Sequence, residues 1–171
     1  MSGPDFHFAT ERPADAAAVE RLSERAFGPG RFAKTAYRLR EGVGGALHLS
    51  YLARVGPLLV GANRMTPIRV GTTPALLLGP LVVEPAFRQL GLGEQLIRLS
   101  LDAARADGHR LVILVGDAGY YGRVGFRPAP LDRIRLPGPV DPARLLYCEL
   151  VPGAFAGVEG RVTRAFQIPS A

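Results

Sequence analysis

Apolar and polar positions along the chain change period several times, and each change marks an element. Phe6 and Phe8 alternate with polar neighbours up to Thr10, as in a half-buried strand. Pro13 opens a segment in which Ala17, Leu22 and Phe27 can share helical faces, with acidic residues in the first turns where the helix dipole favours them. Gly28, Pro29 and Gly30 break this helix, and a second helical pattern runs from Phe32 to Arg40 until Gly42, Gly44 and Gly45 end it. From Leu47 to Val83, apolar runs are separated by turn residues at Gly56-Pro57 and at Gly71-Thr72-Thr73-Pro74, which predicts three consecutive antiparallel strands.

The strongest helical signal spans Gly91 to Asp107. Leu92, Leu96, Leu99 and Ala103 form one stripe, Ile97, Leu101 and Ala104 lie beside it, and Gly108 is the stop. Leu111 to Val115 reads LVILV, a continuous apolar run that predicts a strand covered on both faces. Strand, helix and parallel strand then form a crossover unit at the centre of the fold. Beyond Phe126 the chain is rich in proline and arginine; Arg144 to Val151 reads as the last strand, followed by a glycine-rich tail with little periodicity. No repeat or linker interrupts the pattern, so residues 1–171 are expected to form one domain.

Composition narrows the function. A length of 171 residues, 47% hydrophobic and 21% charged, suits one compact core. The balance of 21 basic to 15 acidic residues gives a net charge of +6, which favours an anionic partner. The basic residues are mostly arginines scattered singly, without the basic, aromatic-interleaved run of a nucleic-acid surface, so a solvated surface is the reading and nucleic acid is not. Cys148 is the only cysteine, which rules out an intrachain disulfide or a cysteine-built zinc cage and fits a reducing, cytoplasmic setting. The start MSGPDFHFATERP has no leader pattern and no stretch is long and apolar enough to span a bilayer, so no membrane partner is expected. His7, His48 and His109 are not at ligand spacing, and no metal is expected.

The chemistry concentrates in LLLGPLVVEPAFRQLGLGEQLI, where a strand ending at Glu84-Pro85 leads through Arg88-Gln89-Leu90-Gly91-Leu92-Gly93 into the long helix. The first turn of a helix presents N–H groups without intrahelical partners at the positive end of the dipole, so amides alone can bind a phosphate. Side chains at 91 and 93 would stand between these amides and a diphosphate, while Arg88 adds a charge-assisted contact. The dinucleotide fingerprint G-x-G-x-x-G is not met, because position 96 is Leu, and the Gly-Lys-Ser/Thr of a P-loop is absent. Gly79-Pro80 inside an apolar run predicts a break in strand pairing, with a plain strand entry as the alternative.

Two ordered motifs carry a resemblance. R-x-x-G-x-G after a strand ending in V-x-P resembles the acetyl-CoA-binding motif of the GNAT superfamily of acyltransferases, and Y-x-x-x-G-F, ending the run Gly116 to Phe126 just after LVILV, is similar to that superfamily's short helix and following strand. The longer string G-D-x-x-Y-Y-x-R-x-G-F-R-P resembles a branch of bacterial N-acetyltransferases, and the likeness covers residues 6 to 151 in element order. It implies an α/β (α+β) GNAT fold: a mixed, mostly antiparallel sheet of six to seven strands with a central parallel crossover and flanking helices. It also implies acetyl-CoA as acyl donor, with no metal, and a primary amine as acceptor.

Residue by residue, the resemblance implies that Leu81, Val82 and Val83 hold the pantetheine arm and thioester carbonyl, and that Arg88, Gln89, Leu90, Gly91, Leu92, Gly93 and Glu94 hold the pyrophosphate. Tyr121, rather than Tyr120, matches the tyrosine that faces the CoA sulfur. Phe126 is expected in the core. Asp117 has two readings, as a group orienting the acceptor and as the cap of the next short helix. Glu84 is the less favoured reading for a general base, and the Glu94 side chain is expected to point away from a phosphate. The rival class is a non-catalytic CoA-responsive binding module. The acceptor, a small molecule or a protein amine, is not legible, and a homodimer stays open.

Overall fold

The computed structural model describes residues 2–28, 35–40 and 44–165. The first strand, β1 (His7–Thr10), is followed by a single 3-10 turn and by α1 (Ala16–Phe27). The second helical pattern is met by α2 (Thr35–Arg38); positions 32–34 and Gly42 lie outside the described residues, as do Pro29 and Gly30. Three strands then follow in series, β2 (Tyr51–Val55), β3 (Leu58–Val70) and β4 (Thr73–Val83), turning at the two sites that the glycine and proline residues mark. The long helix α3 (Leu92–Ala106) and strand β5 (Leu111–Val115) complete the crossover, and α4 (Ala118–Gly122) leads to β6 (Arg127–Pro128), β7 (Ile134–Arg135), β8 (Leu145–Glu149) and β9 (Gly160–Arg164).

All nine strands join one sheet, in the order β1-β2-β3-β4-β5-β8-β6, with β9 on β3 and β7 on β9. The mixed, mostly antiparallel sheet that the resemblance implies is present; β4 and β5 are parallel within its centre, and β7 is parallel to β9. The count exceeds the expected six to seven because β6 and β7 have two residues each and β9 lies in the tail read as irregular. Strand 145–149 is therefore not the last. In β9 only Val162 is buried, between exposed Arg161 and Thr163, so its apolar alternation is a single residue long.

The core lies on both faces of the sheet. Met65, Leu76, Leu78, Val112 and Leu114 pack with Ile97, Leu101 and Ala104 of α3, while Ile68, Leu77, Leu111 and Ile113 pack on the other face with Phe155 and Val158. The buried stripe of α3 is Leu92, Leu96, Ile97, Ser100, Leu101 and Ala104; Leu99 and Ala103 sit at its margin, half-buried. Ser100 belongs to the stripe because the buried Asn63 amide donates to its hydroxyl at 3.0 Å. Phe126 is buried, as expected.

Two irregularities shape the centre. Asn63 pairs with Leu81 and Met65 with Leu78, so Gly79 and Pro80 together oppose Arg64, a β-bulge where the sequence places its proline. Pairing between β4 and β5 is confined to Leu76 with Val112 and Leu77 with Ile113. Beyond these residues the two strands have no ladder between them, and the sheet opens at their carboxyl ends.

Candidate active site

Two clefts meet at this opening. A groove of about 590 Å³ is lined by Leu81, Val82 and Val83 of β4, by Phe87, Arg88, Gln89, Gly91, Leu92, Gly93 and Glu94, and by Tyr120 and Arg123. A second cleft, of about 740 Å³, runs over the bulge at Leu78 to Leu81, past Val115 to Asp117 and Tyr121, under α1 and α2. Phe27, Leu81 and Tyr120 line both. Nine of the ten residues assigned to the donor from the sequence thus share one groove. Leu90 is the exception: the residue is 51% exposed and outside the groove.

The start of α3 has the features of an anion site. Its first intrahelical bond runs from Gln95 N–H to Gly91 C=O, so the amides of Leu92, Gly93 and Glu94 precede the ladder. Gly91 caps the helix at φ +76°, a left-handed conformation that favours glycine, and Gln89 adopts φ +68° beside it. Gly93 has a second neighbour to accommodate. A Cβ there would stand 2.3 Å from the Tyr120 hydroxyl, so glycine at 93 makes room for Tyr120 as well as lining the groove. Arg88 Nε donates to the Val83 carbonyl at 3.2 Å, tying the loop to the end of β4. The Glu94 side chain turns to Arg123, 3.4 Å away, which answers its charge.

Asp117 caps α4: its Oδ1 accepts from Tyr120 N–H at 2.9 Å, while the residue also lines the larger cleft. Capping, one of the two readings, is therefore its structural role. Tyr121 lines the larger cleft and packs edge-on against Tyr120 and Phe126, at centroid distances of 5.0 and 5.9 Å. Burial, with a smaller contribution from Tyr120, pushes its phenol up to about 12. Tyr120 is also raised, by burial first and then by Glu94.

Glu84 stands apart from both clefts, and its carboxylate pairs with Arg25 on α1. His48 and His109, far apart in sequence, both meet Asp107 Oδ2, at 2.8 and 3.1 Å. No group of three or more His, Cys, Asp or Glu among the described residues is placed to hold a metal ion. No helix among them is long and apolar enough to cross a membrane.

The larger cleft contains charged residues that spacing did not single out. Glu11, with 1% of its side chain exposed, is held by Arg64 through bonds of 2.8 and 3.1 Å, and Glu20 lies 3.8 Å from the same guanidinium. Arg40 and Arg144 line the cleft as well. These residues come from the end of β1 at Glu11, from α1 and β3, and from the segments after α2 and before β8, and only the fold brings them together. Scattered arginines therefore do not all belong to a solvated surface.

Residues 16–126 match the family model for the acetyltransferase (GNAT) family. The chain belongs to the GNAT acetyltransferase family. It is 33% identical over 137 residues to the uncharacterized N-acetyltransferase YjhQ of Escherichia coli K12, covering 78% of this chain and 76% of that protein. To the uncharacterized N-acetyltransferase YhbS of the same strain it is 30% identical over 155 residues, covering 89% and 92%. The crystal structure of Escherichia coli YhbS in complex with CoA superposes with a TM-score of 0.82 at 27% identity, over 96% of this chain and 92% of that one. A GNAT family acetyltransferase from Brucella melitensis in complex with acetyl-CoA gives a TM-score of 0.67 at 27% identity, over 95% and 97%.

Proposed function

We propose that this acetyltransferase binds acetyl-CoA in the smaller groove and transfers the acetyl group directly to a primary amine held in the larger cleft. The observation that carries the reading is the meeting of the two clefts at Leu81, immediately after the bulge. CoA in the complexes of the YhbS and Brucella relatives supports the choice of donor.

The free amides at the start of α3 receive the pyrophosphate, with Arg88 beside them. The opened end of β4 supplies amides at Leu81 to Val83 for the pantetheine arm and the thioester carbonyl. The acceptor nitrogen attacks the carbonyl carbon, a C–N bond forms, and the C–S bond breaks as the electron pair leaves with sulfur. Asp117, on the wall of the larger cleft, holds the acceptor ammonium, and solvent in the cleft takes its proton. Tyr121 serves the leaving sulfur. A phenol near 12 stays protonated at neutral pH, and a thiol titrates near 8.5, so Tyr121 acts by donating a hydrogen bond to the thiolate rather than by giving up its proton.

A second reading rests on Tyr120, which lines both clefts. Acceptor-dependent thiol release separates the two. Tyr121→Phe is expected to lower kcat by about tenfold to a hundredfold with little change in acetyl-CoA affinity. If Tyr120→Phe has that effect and Tyr121→Phe does not, the sulfur is served by Tyr120. A non-catalytic, CoA-responsive module predicts binding of acetyl-CoA with no acceptor-dependent release at all.

A further inference from the structure

The arginines of the larger cleft differ in how they are answered. Arg64 is answered twice, by Glu11 and by Glu20. Arg40 and Arg144 have no carboxylate within ion-pair reach among the described residues, and the remaining acid of the cleft, Asp117, commits Oδ1 to the α4 cap. Arg40 lies against the bulge: a Cβ on Gly79 would stand 2.9 Å from its Nη2. Its Nε is buried with no hydrogen-bond partner among the described residues. A guanidinium presents five donors in a planar fork suited to a carboxylate, and a buried, unanswered donor is costly.

We propose that Arg40, assisted by Arg144, binds a carboxylate on the acceptor, so that the substrate class is an amine carrying a carboxylate close to the reacting nitrogen, as in a free amino acid. This rests on the acetyl-transfer reading above and specifies its acceptor. The position of Arg40 sets the reach. A carboxylate bound at about 2.8 Å from a guanidinium beside Gly79 leaves an α-amino nitrogen a few ångströms from the amides at Leu81. Asp117 then faces the ammonium while Arg40 and Arg144 face the carboxylate, which gives a zwitterion an orientation and gives a simple alkylamine none. Burial and the neighbouring Arg64 lower the Arg40 pKa to about 10, so the guanidinium remains charged at neutral pH, where a carboxylate is ionised.

The test uses the full chain with acetyl-CoA and measures thiol release with the L-amino acids and, one for one, their primary amides. Each amide keeps the amine and removes the anionic charge. For the amino acid that is acetylated best, kcat/KM is expected to exceed that of its amide by at least about tenfold. In Arg40→Gln this preference should fall to within about twofold, with acetyl-CoA affinity unchanged, and Arg40→Lys should restore part of it. Equal use of acid and amide by the wild type, or a preference that survives in Arg40→Gln, overturns the carboxylate assignment while leaving acetyl transfer standing. Failure of the parent reading has a separate signature, the absence of acetyl-CoA binding by calorimetry. If acetyl-CoA binds but no amine is turned over, calorimetric titration of the same acid and amide pairs into the CoA-loaded protein decides the assignment. Selective, Arg40-dependent binding of the acids supports it, and its absence overturns it.

Discussion

Substituting Gly93 by alanine places a methyl group where the Tyr120 hydroxyl stands. The contact would be 2.3 Å against an ordinary separation near 3.5 Å, so the phenol must retreat by about 1 Å. The obstructing atom is the end of a half-buried side chain, which puts the overpacking cost at the low end of its range, about 1 kcal/mol. Alanine returns up to about 1 kcal/mol of helix propensity over glycine, so the two terms nearly cancel and global stability should change by less than about 1 kcal/mol. The effect belongs instead in ligand affinity, because the displaced ring forms a wall of the donor groove. Isothermal calorimetry with acetyl-CoA should show about tenfold weaker binding, or about 1.4 kcal/mol. With Tyr120→Phe the nearest ring atom is Cζ at 3.6 Å, an ordinary contact, so Gly93→Ala in that background should bind within about threefold of Tyr120→Phe alone. A double variant as weak as Gly93→Ala itself refutes the reasoning, and would mean that glycine is needed for the approach of the phosphate and not for Tyr120.

Other expectations concern the scaffold. A Cβ on Gly71 would stand 2.3 Å from the backbone oxygen of Glu159, at a residue with φ +58°, where the β3–β4 turn meets the entry to β9. Gly71→Ala should therefore cost about 3 kcal/mol and lower Tm by about 6 to 12 °C in a thermal melt; a loss under 2 °C would contradict the close approach. Ser100→Ala leaves the buried Asn63 amide without its acceptor and should cost about 1–3 kcal/mol by urea denaturation, more than an isosteric change at an exposed site. Asp15 is held down from its ordinary 3.8 to about 2, first by the Arg12 side-chain hydrogen bond and with help from Arg54. Because the folded-state value is depressed, its stabilisation is complete above pH 4 and is lost as pH falls from 4 towards 2. With Arg12 largely exposed, this is worth about 1 kcal/mol, and Asp15→Asn should remove that part of the acid slope in urea titrations at pH 5 and pH 2.5.

Where a physical signal was concentrated in a few adjacent residues, the sequence was informative. LVILV marks β5 to the residue, Gly79-Pro80 marks the bulge, and the glycine at 91 marks the start of α3. The donor groove was legible for the same reason: a strand end, a loop and a helix start are contiguous in the chain. The acceptor cleft was not, because Glu11, Glu20, Arg40, Arg64 and Arg144 come from five separate segments and each taken singly is an ordinary charged residue. Strand β9 escaped because Val162 is its only buried side chain, and the two-residue strands β6 and β7 are too short to show any period. The helix stripe was displaced by one position, since a buried serine bonded to Asn63 does not read as core.

Acetyl-CoA binding by the loop at 88–94 is the central claim, and isothermal calorimetry of the wild-type chain beside the double variant Arg88→Ala, Gly91→Asp tests it most directly. The account predicts one site per chain in the wild type. In the variant, which removes a cation and sets a carboxylate where the pyrophosphate is bound, it predicts loss of that site with a wild-type melting profile within a few degrees. No binding by the wild type, or binding that the variant leaves unchanged, would contradict it.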